Sequence, residues 1–193
     1  MRILPAAAAI AFALAATALL LDRRGAAAAP APQEGGPPAT TPEHRLLERY
    51  AGTWDGEVEV SMEPGAAPST SRSVATIRLA CGGLWLLTDY EGSFAGGSFT
   101  GHEVLGFDSA KKRYVVNWVD SMSTAFSLGE ATFDAATKTL TAVMQGPGPD
   151  GQPASHRQVD QWKDDDTRDW RMLSRAPDGN DVVVVRILYR RRK

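Results

Sequence analysis

From Trp54 to Arg190 the chain is written in short runs in which apolar and polar residues alternate one by one. Clusters of Gly, Pro, Asp and Asn separate the runs. Alternation at a period of two marks a strand with one dry and one wet face. In the first run Val58, Val60 and Met62 share one side, and Glu57, Glu59 and Ser61 share the other. The same pattern predicts strands over 73–80, 84–91, 98–108, 114–121, 124–133, 140–145, 156–163, 168–175 and 182–190. Nothing between them is long and helical enough for a crossover helix, so successive strands pair antiparallel. About ten short strands in this order predict an all-β fold, a single antiparallel up-and-down barrel, because closure removes unpaired edges.

The connections carry their own chemistry. Phe107-Asp108-Ser109-Ala110-Lys111-Lys112 returns as Phe133-Asp134-Ala135-Ala136-Thr137-Lys138. In each, the Asp is placed to accept bonds from the backbone ahead of it. Gly146-Pro147-Gly148-Pro149-Asp150-Gly151 is a loop, and Cys81-Gly82-Gly83 is a turn in which Cys81 reads as a small buried hydrophobe. Before the first strand, Leu46, Leu47 and Tyr50 recur at helical spacing. They predict a short N-terminal helix with Thr41 as its cap and Gly52 at its stop.

Residues 1–29 have the form of a cleavable signal peptide. A positive start at Arg2 precedes an apolar run over 3–21, then Asp22-Arg23-Arg24-Gly25, then small residues ending at Ala28-Ala29. The run is also nearly long enough to stay as an anchor, and Pro5 argues against that. Residues 30–42, with Pro32, Pro37, Pro38, Gly35 and Gly36, read as a flexible linker. Residues 43–193 remain for one barrel domain, large enough to bury about two-thirds of its unfolded surface without a staple. The expected location is outside the cytoplasm, periplasmic or extracellular. Losing Arg2, Arg23, Arg24 and Asp22 takes the formal charge from −2 to −4. That balance disfavours nucleic acid as a partner, and signal cleavage leaves no membrane span. A single cysteine allows no internal disulfide.

Gly52-x-Trp54 at the head of a meandering barrel resembles the calycin group of lipocalins, fatty-acid-binding proteins and nitrobindin-like barrels. The chain as a whole is similar to the bacterial DUF1579 family of unknown function. The resemblance rests on Gly52-Thr53-Trp54-Asp55-Gly56-Glu57, Gly82-Gly83-Leu84-Trp85-Leu86, Tyr90-Glu91-Gly92 and Gly106-Phe107-Asp108. It continues through Tyr114-Val115-Val116-Asn117-Trp118-Val119-Asp120-Ser121-Met122 and Trp162-Lys163-Asp164-Asp165-Asp166-Thr167. It implies a lipocalin-like barrel in which Gly52 and Trp54 are structural, and it implies no activity. In lipocalins an Arg of the last strand packs over this Trp, which here points to Arg186 or Arg190.

A barrel of this size holds either packed side chains or one small ligand. Trp85, Tyr90, Phe99, Trp118, Phe126, Trp162 and Trp170 are the rings that can line it. Asp89, Glu91, His102, Asn117, Asp120, Arg157 and Asp160 interrupt the apolar strands. A few polar groups among rings is how small-molecule sites are built, so Trp85, Asp89, His102, Trp118, Asp120 and Trp162 form the expected ligand-binding set. No metal, cofactor or catalytic residue is expected. His44, His102 and His156 lack ligand spacing, Asp164-Asp165-Asp166 lacks a calcium-loop pattern, and there is no nucleophile elbow. The leading reading is an exported protein binding a small, mostly apolar ligand in its lumen. An enzyme using Asp89, His102 or Asp120 as acid or base, and a partner-binding module with a filled lumen, stay open beside it.

Overall fold

The computed structural model describes residue 36 and residues 38–61, 67–148, 151–176 and 179–193. The signal segment, most of the linker and Met62 lie outside the described residues. Among the described residues one short α-helix, α1 (His44–Tyr50), precedes ten strands. These are β1 (Gly52–Val60), β2 (Ser69–Ala80), β3 (Trp85–Phe94), β4 (Gly97–Asp108) and β5 (Arg113–Asp120). They continue as β6 (Ser127–Asp134), β7 (Thr139–Pro147), β8 (Pro153–Trp162), β9 (Thr167–Arg175) and β10 (Asp181–Arg191). Each strand pairs antiparallel with its neighbours in sequence, and β1 pairs with β10 to close the barrel. The predicted all-β up-and-down barrel is therefore the fold.

The repeated turns work as their sequence indicates. Asp108 Oδ1 accepts from the amides of Ala110 and Lys111 at 3.0 and 3.1 Å. Asp134 accepts from the Ala136 amide and the Thr137 hydroxyl at 2.9 and 2.8 Å. Both turns finish on a lysine with positive φ, Lys112 at 53° and Lys138 at 52°.

Trp54 is fully buried, and its indole N–H donates to the Tyr50 carbonyl at 2.8 Å. Two guanidinium groups lie over its ring, Arg191 at 4.1 Å and Arg168 at 4.5 Å from the centroid. The arginine over the first-strand tryptophan is thus Arg191, and neither Arg186 nor Arg190. Arg191 lies directly opposite Trp54 in the β1–β10 register, while Arg190 falls on the outer face and Arg186 bonds Asp169. Arg191 also donates to the carbonyls of Ala51 and Arg49, which are left free where α1 ends. Gly52 has φ 128°, and a Cβ there would lie 2.8 Å from the Arg191 guanidinium, so this position needs glycine.

Thr41 does not cap α1 as expected. Its hydroxyl bonds the Glu43 carboxylate and the His44 ring, whereas the helix cap is Glu43, whose side chain makes no bond to the helix backbone. Cys81 is exposed, a correction to its expected burial, because positive φ at Cys81 and Gly82 swings the turn outward.

Candidate functional site

Helix α1 seals one end of the barrel. Leu46, Leu47 and Tyr50 point into it, and the Tyr114 hydroxyl donates to the Glu43 carbonyl at 3.0 Å, tying down the start of the helix. Beneath the helix lies a plug of rings and charge. Tyr50 and Trp54 meet Trp162 edge-on at 4.9 and 5.7 Å. Arg168, 3% exposed, lies within 5 Å of the Tyr50, Trp54 and Tyr189 ring centroids. It also bonds Asp160 Oδ2 at 2.5 Å.

Inward side chains become more exposed away from this plug. On β5, Tyr114 and Val116 are buried, but Trp118 and Asp120 are half-buried. On β8, Trp162 and Asp160 are buried, and Gln158 and His156 are not. On β9 and β10, Arg168, Ile187 and Tyr189 give way to Trp170, Met172 and Val185. The lumen therefore has a packed half under α1 and an open half at the far end. Phe94, Met122 and Phe126 stand exposed at the β3–β4 and β5–β6 connections of that far end.

The wall of the open half carries a ring cluster. Tyr90 meets Phe99 and Trp118 edge-on at 5.8 and 6.1 Å, and Phe99 stacks on Trp118 at 6.4 Å. Gly101 makes room for this, since a Cβ there would lie 2.3 Å from the Trp118 ring. The Trp118 indole N–H donates to Asp120 Oδ2 at 2.8 Å, and Asp120 Oδ1 accepts from the Met122 amide at 2.8 Å. Asp120 thus orients the indole and anchors the loop that follows.

Of the six expected ligand-binding residues, Trp118 and Asp120 face the open half together. Trp162 points inward but is packed in the plug. Trp85, Asp89 and His102 face outward, which corrects their expected lumen placement. Leu86 takes the inner frame of β3, and Trp85 lies outside across Gly106, its cross-strand partner. Asp89 and His102 are direct neighbours in the β3–β4 register and form a 2.8 Å pair on the outer surface. An exposed pair of this kind contributes little to stability. Phe126 is also outside, in a loop.

A cavity of about 30 Å³ marks the floor of the open half. Glu103 of β4 and Asp160 of β8 reach it from opposite walls, with Gln158 and Trp170 beside them. Burial pushes the Glu103 carboxyl up to about 7, with the nearby Asp160 charge adding to the rise and Arg168 opposing it. Burial also raises Asp160, against the pull of its Arg168 partner. Sequence reasoning missed Glu103 and Arg168. The readable signal was that Glu103 shares its alternation frame with Phe99, Leu105 and Phe107, and Arg168 with Trp170 and Met172. A larger concavity of about 610 Å³ lies on the outer wall of β1 to β3, lined by Asp55, Glu57, Arg72, Glu91 and Arg190. Its mixed charges face solvent and do not suit an apolar ligand. Among the described residues no three His, Cys, Asp or Glu side chains converge to hold a metal ion.

Residues 39–191 match the family described as protein of unknown function (DUF1579). The chain belongs to this family. No curated protein sequence matches it. Two solved structures share the DUF1579 barrel's fold. One is the crystal structure of Rv2717c from M. tuberculosis, with a TM-score of 0.61 at 11% identity, covering 80% of this chain and 100% of that one. The other is the S-type phycobiliprotein lyase CPES from Guillardia theta, with a TM-score of 0.54 at 16% identity, covering 78% of this chain and 93% of that one.

Proposed function

We propose that this DUF1579 protein is an exported carrier that takes a small, mostly apolar ligand into the open half of its lumen. One observation carries the reading. Phe99, Trp118 and Trp170 stand only partly covered on an inner wall, with Tyr90 buried against the first two, while the opposite half of the same lumen is close-packed. A folded barrel gains by covering such rings, at roughly 25 cal/mol for each Å² removed from water, and a ligand is the available cover. Export rests on the form of residues 1–29, and the first residue of the mature protein, expected near Ala29 or Pro30, tests it.

Native mass spectrometry of the protein from its producing cells, before and after denaturation, tests the carrier. A reproducible non-covalent mass that leaves on unfolding supports it and reveals the cargo class. A bare mature mass, with no apolar ligand raising the melting temperature, refutes it.

A further inference from the structure

The floor of the lumen sets two carboxyl groups, Glu103 and Asp160, against one guanidinium, Arg168. Asp160 is 6% exposed and lines the cavity; its Oδ2 takes Arg168, but its Oδ1 has no hydrogen-bond partner. The Glu103 carboxylate, reaching the cavity from the opposite wall, makes no hydrogen bond among the described residues. The Tyr50 hydroxyl is buried beside Asp160 on its helix side, and the Trp162 indole N–H and Arg168 Nε are buried in the plug above. Asp160 Oδ1 is a buried acceptor and the half-buried Glu103 carboxyl a second across the cavity, so a compact group bearing N–H can be held between them. The floor is also complementary in charge. Two carboxylates face one guanidinium, which leaves one negative charge to neutralise when both acids are ionised. The cavity of about 30 Å³ matches the space one water or one ammonium group occupies. Trp170 lines the same cavity, and Phe99, Trp118 and Met172 follow as half-covered side chains toward the open end.

We propose that the ligand is a small amphiphilic amine, its ammonium head held at the floor between Glu103 and Asp160 and its apolar tail lying along the open half of the lumen. The proposal rests on the carrier reading and gives its cargo a chemical class. Hydrophobic contact holds the tail, and the two carboxyl groups select the head.

Octylamine, octanol and octanoate share one tail and differ only in the head, so titration calorimetry of the full chain separates the two claims. Octylamine is expected to bind at least tenfold tighter than octanol, with octanoate weakest. Glu103→Gln is expected to cut the preference for amine over alcohol at least tenfold. A second readout is the proton balance. Glu103 faces Asp160 on β8, Arg168 on β9, Tyr50 on α1 and Tyr189 on β10, and its carboxyl sits at about 7. An incoming ammonium ionises it. Binding of octylamine at pH 6 is therefore expected to release close to one proton, read from heats in buffers of different ionisation enthalpy, and octanol none. Equal binding of all three probes, preference for octanoate, or no proton release overturns the amine head and leaves the apolar carrier standing. Failure of all three to bind overturns both.

Discussion

Arg168 is the residue on which the sealed half depends, and its removal has a calculable effect. In Arg168→Met the side-chain stem keeps most of its volume. The substitution loses the contacts with Trp54, Tyr50 and Tyr189 and leaves Asp160 buried without its counter-charge. Removing one partner of a buried ion pair costs about 3–5 kcal/mol, a large share of the roughly 5–15 kcal/mol that holds a domain together. At about 2–4 °C per kcal/mol for a domain of this size, the melting temperature falls by about 6–20 °C. The loss depends on the Asp160 charge. Burial already holds that carboxyl above its unfolded value, and without Arg168 it rises further. A raised carboxyl means that stability is lost as pH rises, so the deficit of the variant shrinks as pH falls toward the unfolded value of about 4. The double variant Arg168→Met with Asp160→Asn removes the stranded charge and regains most of the loss. Urea denaturation followed by circular dichroism at pH 5 and pH 8 measures all three forms. A deficit below about 1 kcal/mol, or no rescue by Asp160→Asn, refutes the view that charge pairing anchors the plug.

Three further outcomes follow from named contacts. Glu103→Gln flattens a pH dependence in the wild type, whose stability falls as pH rises from 4.5 to about 7. The gap corresponds to about 3 kcal/mol as an upper bound, so the variant is the more stable form at pH 8 and not at pH 4 in denaturant titrations. Gly101→Ala drives a methyl into the Trp118 ring and costs about 1–3 kcal/mol in the same assay; a change below about 0.5 kcal/mol means the ring is free to move. Arg191→Met frees the Arg49 and Ala51 carbonyls, so the amides of α1 exchange hydrogen faster while the strands stay protected; uniform exchange across the barrel contradicts the latch.

Much of the fold was legible because alternation and turn chemistry are local. The frames of Val58, Ile77, Val116 and Ile187 place those residues inside, and the two Phe-Asp turns behave as written. The site was less legible because it depends on register. Trp85, Leu86 and Leu87 are all apolar, so alternation cannot choose the inner face of β3; the match of Trp85 with Gly106 chooses it. Asp89 and His102 looked like lumen polar groups, but each is the other's cross-strand partner outside. Arg191 differs by one residue from Arg190, one of the two arginines expected there, which on a strand is the whole difference between facing the core and facing solvent. Glu103 and Arg168 share the frames of apolar residues, but only the closed lumen brings them toward Asp160.

The β1–β10 seam joins the two strands of the barrel that are farthest apart in sequence. The Arg191 latch on α1 spans 140 and 142 positions to its two carbonyls. Such a ring cannot close hairpin by hairpin from one end. Eight hairpins can form as the chain emerges, but the first stave stays open-edged and its helix unlatched until β10 arrives. Long-range closure of this kind is slow, on the order of milliseconds to seconds. A chain interrupted before β10 is left with two bare edges and an uncovered Trp54, which makes it a substrate for proteolysis and aggregation.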